Sequence, residues 1–125
     1  MKAKISAVII TKNEEHNIVD CLQTLDFADE IIVVDSGSND KTVAFAKKYT
    51  KKIFTWNWAG YAAQKNYGIS KAKNDWIFSI DADERVSEEL KQELVNLDYN
   101  KEGYFIPLKN YFLGRWLRYG GQYPD

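Results

Sequence analysis

The chain alternates between short runs that are apolar at consecutive positions and longer segments in which apolar residues recur every three or four. Ile5-Ser6-Ala7-Val8-Ile9-Ile10 and Ile31-Ile32-Val33-Val34 are apolar on both faces, which suits central strands covered by helices on each side. Ile53-Phe54 reads as a short strand and Trp76-Ile77-Phe78-Ser79-Ile80 as another buried one, rich in β-branched and aromatic residues. Between them the spacing predicts helices. The first runs from Glu14 with Ile18, Cys21, Leu22 and Leu25 inward and Glu14 and Glu15 in its first turn. The second follows a loop in which Ser38, Asn39 or Asp40 serves as cap, and carries Val43, Ala44 and Ala46 inward. The third spans Tyr61 to Lys73 with Ala62, Ile69 and Ala72 on one side, although Gly68 weakens it. The fourth starts at Ser87 as cap and places Leu90, Leu94 and Leu97 at i, i+4 and i+7. Tyr104-Phe105-Ile106-Pro107 closes the pattern as a strand that Pro107 puts at an edge or a strand end.

Strands alternating with helices predict an α/β fold with a mostly parallel sheet. Three strands end in polar clusters: Thr11-Lys12-Asn13-Glu14, Asp35-Ser36-Gly37-Ser38 and Asp81-Ala82-Asp83-Glu84. In a parallel sheet these lie on one edge, where open α/β sheets bind ligands. With 125 residues, 45% hydrophobic, the chain is expected to form one domain, residues 1–125, with one core. A formal net charge of −1 gives no general field for nucleic acid, so any phosphate binding must be local. The single Cys21 excludes an internal disulfide framework, and the apolar run at Ile5 to Ile10 is too short for a membrane span. A cytoplasmic chain is expected. Lys47 to Lys52 reads as a solvated surface.

The candidate chemistry centres on Asp81-Ala82-Asp83. In an extended segment the two aspartates point the same way, with Cα atoms roughly 6.5 Å apart. Such a pair suits Mg²⁺ or Mn²⁺, which take one or two carboxylates and fill the remaining positions with water and substrate phosphate. A lone D-x-D is a weak signal among 18 acidic residues; its position at a strand end raises it. His16, the only histidine, has no partner at ligand spacing and reads as a surface helix residue. The Asp35 loop fails as a calcium loop, with Asp40 where glycine is needed and Ala46 where glutamate is needed.

Four stretches, in this order and spacing, carry a family resemblance: VIITKNEE, VVDSGSNDKT, QKNYGISKAKNDWIFSIDADE and FLGRWLRYGGQYPD. Together they resemble the nucleotide-sugar-binding half of the family 2 glycosyltransferases, inverting enzymes with the GT-A fold, over nearly the whole chain. The Asp-Ala-Asp-Glu form and the last stretch look most like the branch that builds the lipopolysaccharide core. The resemblance implies a three-layer α/β/α, Rossmann-like nucleotide-sugar-binding domain and a UDP-sugar donor. It places Thr11 and Glu14 against the uracil and ribose and makes Asp35 the acceptor of the base N–H. It sets Lys65 beside the diphosphate, Asp83 on the metal and Asp81 between metal and ribose. Competing structural readings stand beside these: Asp35 as orderer of the Ser36-Gly37 turn or cap of the next helix, Glu14 as an ordinary first-turn acid, and Lys65 as a solvated helix residue.

The reaction implied is transfer of a sugar from a nucleotide diphosphate to an acceptor hydroxyl with inversion, a carboxylate taking the acceptor's proton. In the family that base lies well beyond the D-x-D, so it is expected after Asp125 and the chain is expected to be the N-terminal part of a longer enzyme. Tyr111 to Tyr123, with Arg115 and Arg118, would open the acceptor-side region over 110–125, or form a strand and loop only. A glycan or glycolipid acceptor and peripheral contact with the inner membrane are further implications. Two rivals remain: a non-catalytic nucleotide-sugar-binding module, and a sugar-phosphate nucleotidyltransferase. The second is disfavoured because Thr11 to Glu15 contains no glycine for a triphosphate loop.

Overall fold

The computed structural model describes residues 4–97, 105–108 and 111–115. Four parallel strands form its centre: β1 (Ile5–Thr11), β2 (Glu30–Asp35), β3 (Ile53–Thr55) and β4 (Trp76–Asp81). Two antiparallel strands, β5 (Phe105–Leu108) and β6 (Tyr111–Arg115), extend the sheet beside β4 in the order β3-β2-β1-β4-β6-β5. Pro107 therefore sits in an edge strand, where a missing N–H costs no ladder bond on the open side. The sheet is mostly parallel, as the alternation predicts. Trp116 to Tyr123, assigned above to the acceptor side, lies outside the described residues, as does Tyr104.

Helices cover both faces, giving three layers. On one side α1 (Ile18–Gln23), α2 (Thr42–Ala46) and α4 (Glu88–Asn96) bury Ile18, Cys21, Leu22, Ala46 and Leu94 against Ile5, Ala7, Ile9, Val33, Phe78 and Ile80. Phe78 is fully buried at the centre of this layer and meets Phe27 edge-on, ring centroids 5.5 Å apart. On the other side α3 (Tyr61–Ser70) lays Ile69, followed by Ala72, on Val8, Ile32, Val34 and Ile77. Gly68 belongs there for a packing reason. A Cβ at that position would stand 2.6 Å from Val8 Cγ1 and 3.0 Å from Val34 Cγ2, so only glycine lets the helix approach the sheet this closely.

Several local expectations give way to contacts between loops. The first helix begins at Ile18, and its first-turn acid is Asp20. The amides of Asn13, Glu14 and Glu15 donate instead to Ser38 Oγ, Thr42 Oγ1 and Asp40 Oδ2, and Asn13 takes a left-handed φ of 54°. In α2 it is Ala46 that is fully buried, Val43 is half-buried and Ala44 faces solvent. Asp40 acts as its cap through the Thr42 amide, 3.0 Å away, while Lys41 occupies the formal cap position. Ser87 caps α4 as expected, accepting from the Leu90 amide at 3.1 Å. Lys52 is not simply solvated: it pairs with Glu30, whose buried carboxylate also accepts from Ser6 Oγ at 2.6 Å and the Lys73 amide at 2.9 Å.

Candidate functional site

The register of the parallel strands brings the three polar clusters together. Thr11 pairs with Asp35 and Ile10 with Asp81, so β1, β2 and β4 end at the same level of the sheet. A cleft of about 460 Å³ opens there. Its walls come from Ile10, Thr11, Lys12 and Glu14 at the end of β1, Ser36 after β2, Trp58 and Tyr61 before and on α3, and Asp81, Ala82 and Asp83 at the end of β4.

Of the six residues singled out from the sequence, Thr11, Glu14, Asp81 and Asp83 line this cleft. Asp35 shares the edge but turns inward. It is 2% exposed; Oδ1 accepts from Thr11 Oγ1 at 2.8 Å and Ser38 Oγ at 2.6 Å, Oδ2 from the amides of Gly37 at 3.0 Å and Ser38 at 2.8 Å. These four donors occupy the capacity of a carboxylate. The turn they order bends at Gly37, φ 94°, a conformation glycine adopts without strain. Lys12 closes over that turn, its ammonium donating to the Gly37 carbonyl at 2.9 Å. Lys65 does not line the cleft. It lies one helical turn beyond Tyr61 and close enough to Glu84 to favour that residue's charged form.

Asp81 and Asp83 are both exposed, on either side of the buried Ala82. Their shared direction arises differently from the pleat argument made above: β4 stops at Asp81, and a turn closed by the Glu84 amide on the Asp81 carbonyl, 3.0 Å, carries Asp83 back to the cleft. Glu84 Oε1 in turn accepts from the Asp81 amide at 2.9 Å. Burial pushes the Glu84 carboxyl above its ordinary range and repulsion from Asp81 and Asp83 adds to this, with the Asp81 amide and Lys65 opposing. Among the described residues the Asp81 and Asp83 carboxylates make no hydrogen bond or ion pair, and no group of three or more His, Cys, Asp or Glu side chains converges on one point. Two unpartnered carboxylates on a cleft wall fit Mg²⁺ or Mn²⁺ completed by water and phosphate, and do not fit a closed protein cage.

Sequence reasoning missed Lys12, Ser36, Trp58 and Tyr61. The two aromatics are 52% and 69% exposed, packed edge to face with ring centroids 4.8 Å apart. Their signal was present in Trp56-Asn57-Trp58-Ala59-Gly60-Tyr61, an aromatic loop following a parallel strand and hence bound for the same edge as the carboxylates. Glu14 is held from behind, its Oε1 accepting from Asn17 Nδ2 at 3.1 Å.

Comparison with known proteins adds to this geometry. The sequence matches the family described as Glycosyl transferase family 2 over residues 6–120. It is 49% identical over 92 residues to an uncharacterized glycosyltransferase of Rickettsia bellii, covering 73% of this chain and 31% of that protein. It is 34% identical over 121 residues to the lipopolysaccharide core biosynthesis glycosyltransferase LpsC of Rhizobium meliloti, covering 90% and 45%. The chain thus spans less than half the length of these relatives. Among solved structures it resembles S. aureus TarS 1–349 in complex with UDP-GlcNAc, TM-score 0.63 at 25% identity, covering 72% of this chain and 29% of that one. A mannosyltransferase from Pyrobaculum calidifontis, in complex with GDP-Man and Mn²⁺, shares the fold with TM-score 0.66 at 21% identity, covering 77% and 31%.

Proposed function

The chain belongs to glycosyl transferase family 2, and from that premise we propose that its cleft holds a UDP-sugar donor whose sugar passes, with inversion, to an acceptor hydroxyl in lipopolysaccharide core synthesis. One observation carries this reading. Two exposed carboxylates, Asp81 and Asp83, share a cleft wall with Thr11 and Glu14, delivered by separate strands to one rim.

In this reading Glu14 accepts hydrogen bonds from the ribose hydroxyls, and Asn17 fixes its carboxylate for the task. Thr11 shapes the base pocket through its backbone, since its hydroxyl is engaged by Asp35. Asp35 accepts the base N–H on Oδ1, in the place the Ser38 hydroxyl holds here. Trp58 and Tyr61 offer ring faces on which the base stacks. Asp83 and Asp81 would hold Mg²⁺ or Mn²⁺, and the ion would supply positive charge for a diphosphate leaving group. Lys65, outside the cleft lining but close enough to Glu84 to act on its charge, would bring positive charge toward the diphosphate. Inversion needs a carboxylate that takes the acceptor's proton, and we place it outside the residues assigned to the donor. The acceptor proposed is a glycan or glycolipid at the cytoplasmic face of the inner membrane, reached by peripheral contact; no described helix is long and apolar enough to cross a membrane.

The nucleotidyltransferase alternative needs backbone amides after β1 aimed at a triphosphate. Those of Asn13, Glu14 and Glu15 are taken by Ser38, Thr42 and Asp40, which argues against it. The donor reading is tested by calorimetric titration with UDP, with and without Mn²⁺. Mn²⁺ should tighten UDP at least about tenfold, about 1.4 kcal/mol, and Asp83→Asn should remove the gain. Equal affinities in the two wild-type series would refute the metal site.

A further inference from the structure

Behind the Asp81–Asp83 turn, Arg85 makes more contacts than a surface arginine needs. Its Nη1 donates to the carbonyls of Ala82 at 3.3 Å and Glu84 at 3.0 Å, and its Nη2 donates to Asn17 Oδ1 at 3.1 Å. Asp20 stands 3.8 Å away, and the side chain is 35% exposed. From the other side Tyr111, on β6, donates its hydroxyl to the Arg85 carbonyl. Asn17 uses its own amide nitrogen to hold Glu14 at 3.1 Å. The contacts therefore run without a gap from Glu14, through Asn17 and Arg85, to the turn that bears Asp81 and Asp83. Arg85 itself does not line the cleft.

We infer that Arg85 is a positioning residue that sets the spacing between Glu14 and the Asp81–Asp83 turn, so that nucleoside and metal-bound diphosphate are gripped at the same time. The inference rests on the donor reading above. Its physical basis is that three neighbouring carboxylates, Asp81, Asp83 and Glu84, repel one another and tend to open their turn. A planar guanidinium bonding two carbonyls of the turn and one side chain of the facing turn opposes this with a fixed geometry. An ammonium has no such fork. Loss of the bridge should leave each half of the cleft intact but uncouple them.

The test uses the full chain with Arg85→Ala, Arg85→Lys and Asn17→Ala. Without any ligand, hydrogen exchange at residues 82–86 should rise in Arg85→Ala, while β1 and β2 stay protected. By calorimetry, metal-free UDP affinity should stay within about twofold of wild type, and the Mn²⁺-dependent gain should fall by about tenfold or more, the scale on which residues supporting metal ligands act. Arg85→Lys should remain impaired, and millimolar guanidinium chloride, against sodium chloride at equal ionic strength, should restore part of the gain to Arg85→Ala. Asn17→Ala leaves the guanidinium on its own turn but also releases Glu14, so it should lose part of the Mn²⁺ gain and, unlike Arg85→Ala, weaken metal-free UDP as well; Arg85→Lys carries the test if Arg85→Ala does not fold. An undiminished Mn²⁺ gain in Arg85→Ala or, failing that, in Arg85→Lys overturns the assignment, and so does an equal weakening of UDP with and without metal in that variant. If wild type itself binds no UDP, the donor reading fails and this inference with it.

Discussion

Replacing Asp35 separates its work in the fold from its proposed work on the base. In Asp35→Asn the side chain can aim its oxygen at the Gly37 and Ser38 amides and its NH₂ at the Thr11 and Ser38 hydroxyls, which rotate to accept. All four contacts survive without charge assistance. Hydrogen bonds to charged groups are worth about 1.5–3 kcal/mol and neutral ones about 0.5–1.5. Because three of the four donors belong to a half-exposed turn that water reaches, with only the Thr11 hydroxyl buried, the expected cost is about 1–3 kcal/mol in total. In Asp35→Ala the two amides lose their acceptor outright and the hydroxyls lose theirs, so the expected cost rises to about 3–5 kcal/mol, a large part of a typical stability of about 5–15 kcal/mol. Urea denaturation should rank wild type above Asn above Ala. UDP titration of the folded Asn variant then reads the second role. Its NH₂ would face the base N–H, donor against donor, and affinity should fall at least about tenfold, about 1.4 kcal/mol. An Asn variant as unstable as the Ala variant would refute the four-bond network, and unchanged UDP affinity in a stable Asn variant would refute the base contact.

Three further outcomes are expected. Gly68→Ala should lose up to about 2 kcal/mol, because crowding against the stiff Val8 and Val34 side chains costs about 1–3 against a helix gain of about 1; a urea midpoint above wild type would contradict the packing argument. Burial pushes the Glu30 carboxyl up, but Lys52, Ser6 and the Lys73 amide outweigh it and hold it below its ordinary value of 4.5. A carboxylate depressed in this way contributes stability that is present above that value and lost as pH falls through its folded value, so the advantage of wild type over Glu30→Gln should be full at pH 7 and shrink in acid; a gap that widens in acid would reverse the sign. Trp58→Ala should weaken UDP by about 1–3 kcal/mol, the scale of base stacking, yet leave Mn²⁺-pyrophosphate binding alone; equal loss for both ligands would place Trp58 elsewhere.

Much of the site could be read from residues 76–84 alone, where an apolar strand ends in carboxylates. Thr11 and Glu14 were reachable in the same way, since a parallel sheet sends the ends of β1, β2 and β4 to one rim. Asp35 shows the limit. Its place on the rim followed from the strand, but the inward turn of its carboxylate depends on Thr11, 24 residues earlier. That Tyr61 lines the cleft and Lys65 does not was out of reach for a similar reason, because which face of α3 looks into the cleft depends on how the helix seats on β1 and β2.

The order of strands and helices, the layering and the acidic rim were determined by the sequence itself, because hydrophobic period and strand-end chemistry are properties of short segments. The tertiary structure decided where α1 starts, why Ala44 faces out, what Lys52 is for and how Arg85 ties the carboxylate turn to Glu14. Apart from Ala44, which is a matter of packing face, each of these turns on contacts between residues from 22 to 68 positions apart. Burial and geometry settle such contacts only once the chain has closed on itself.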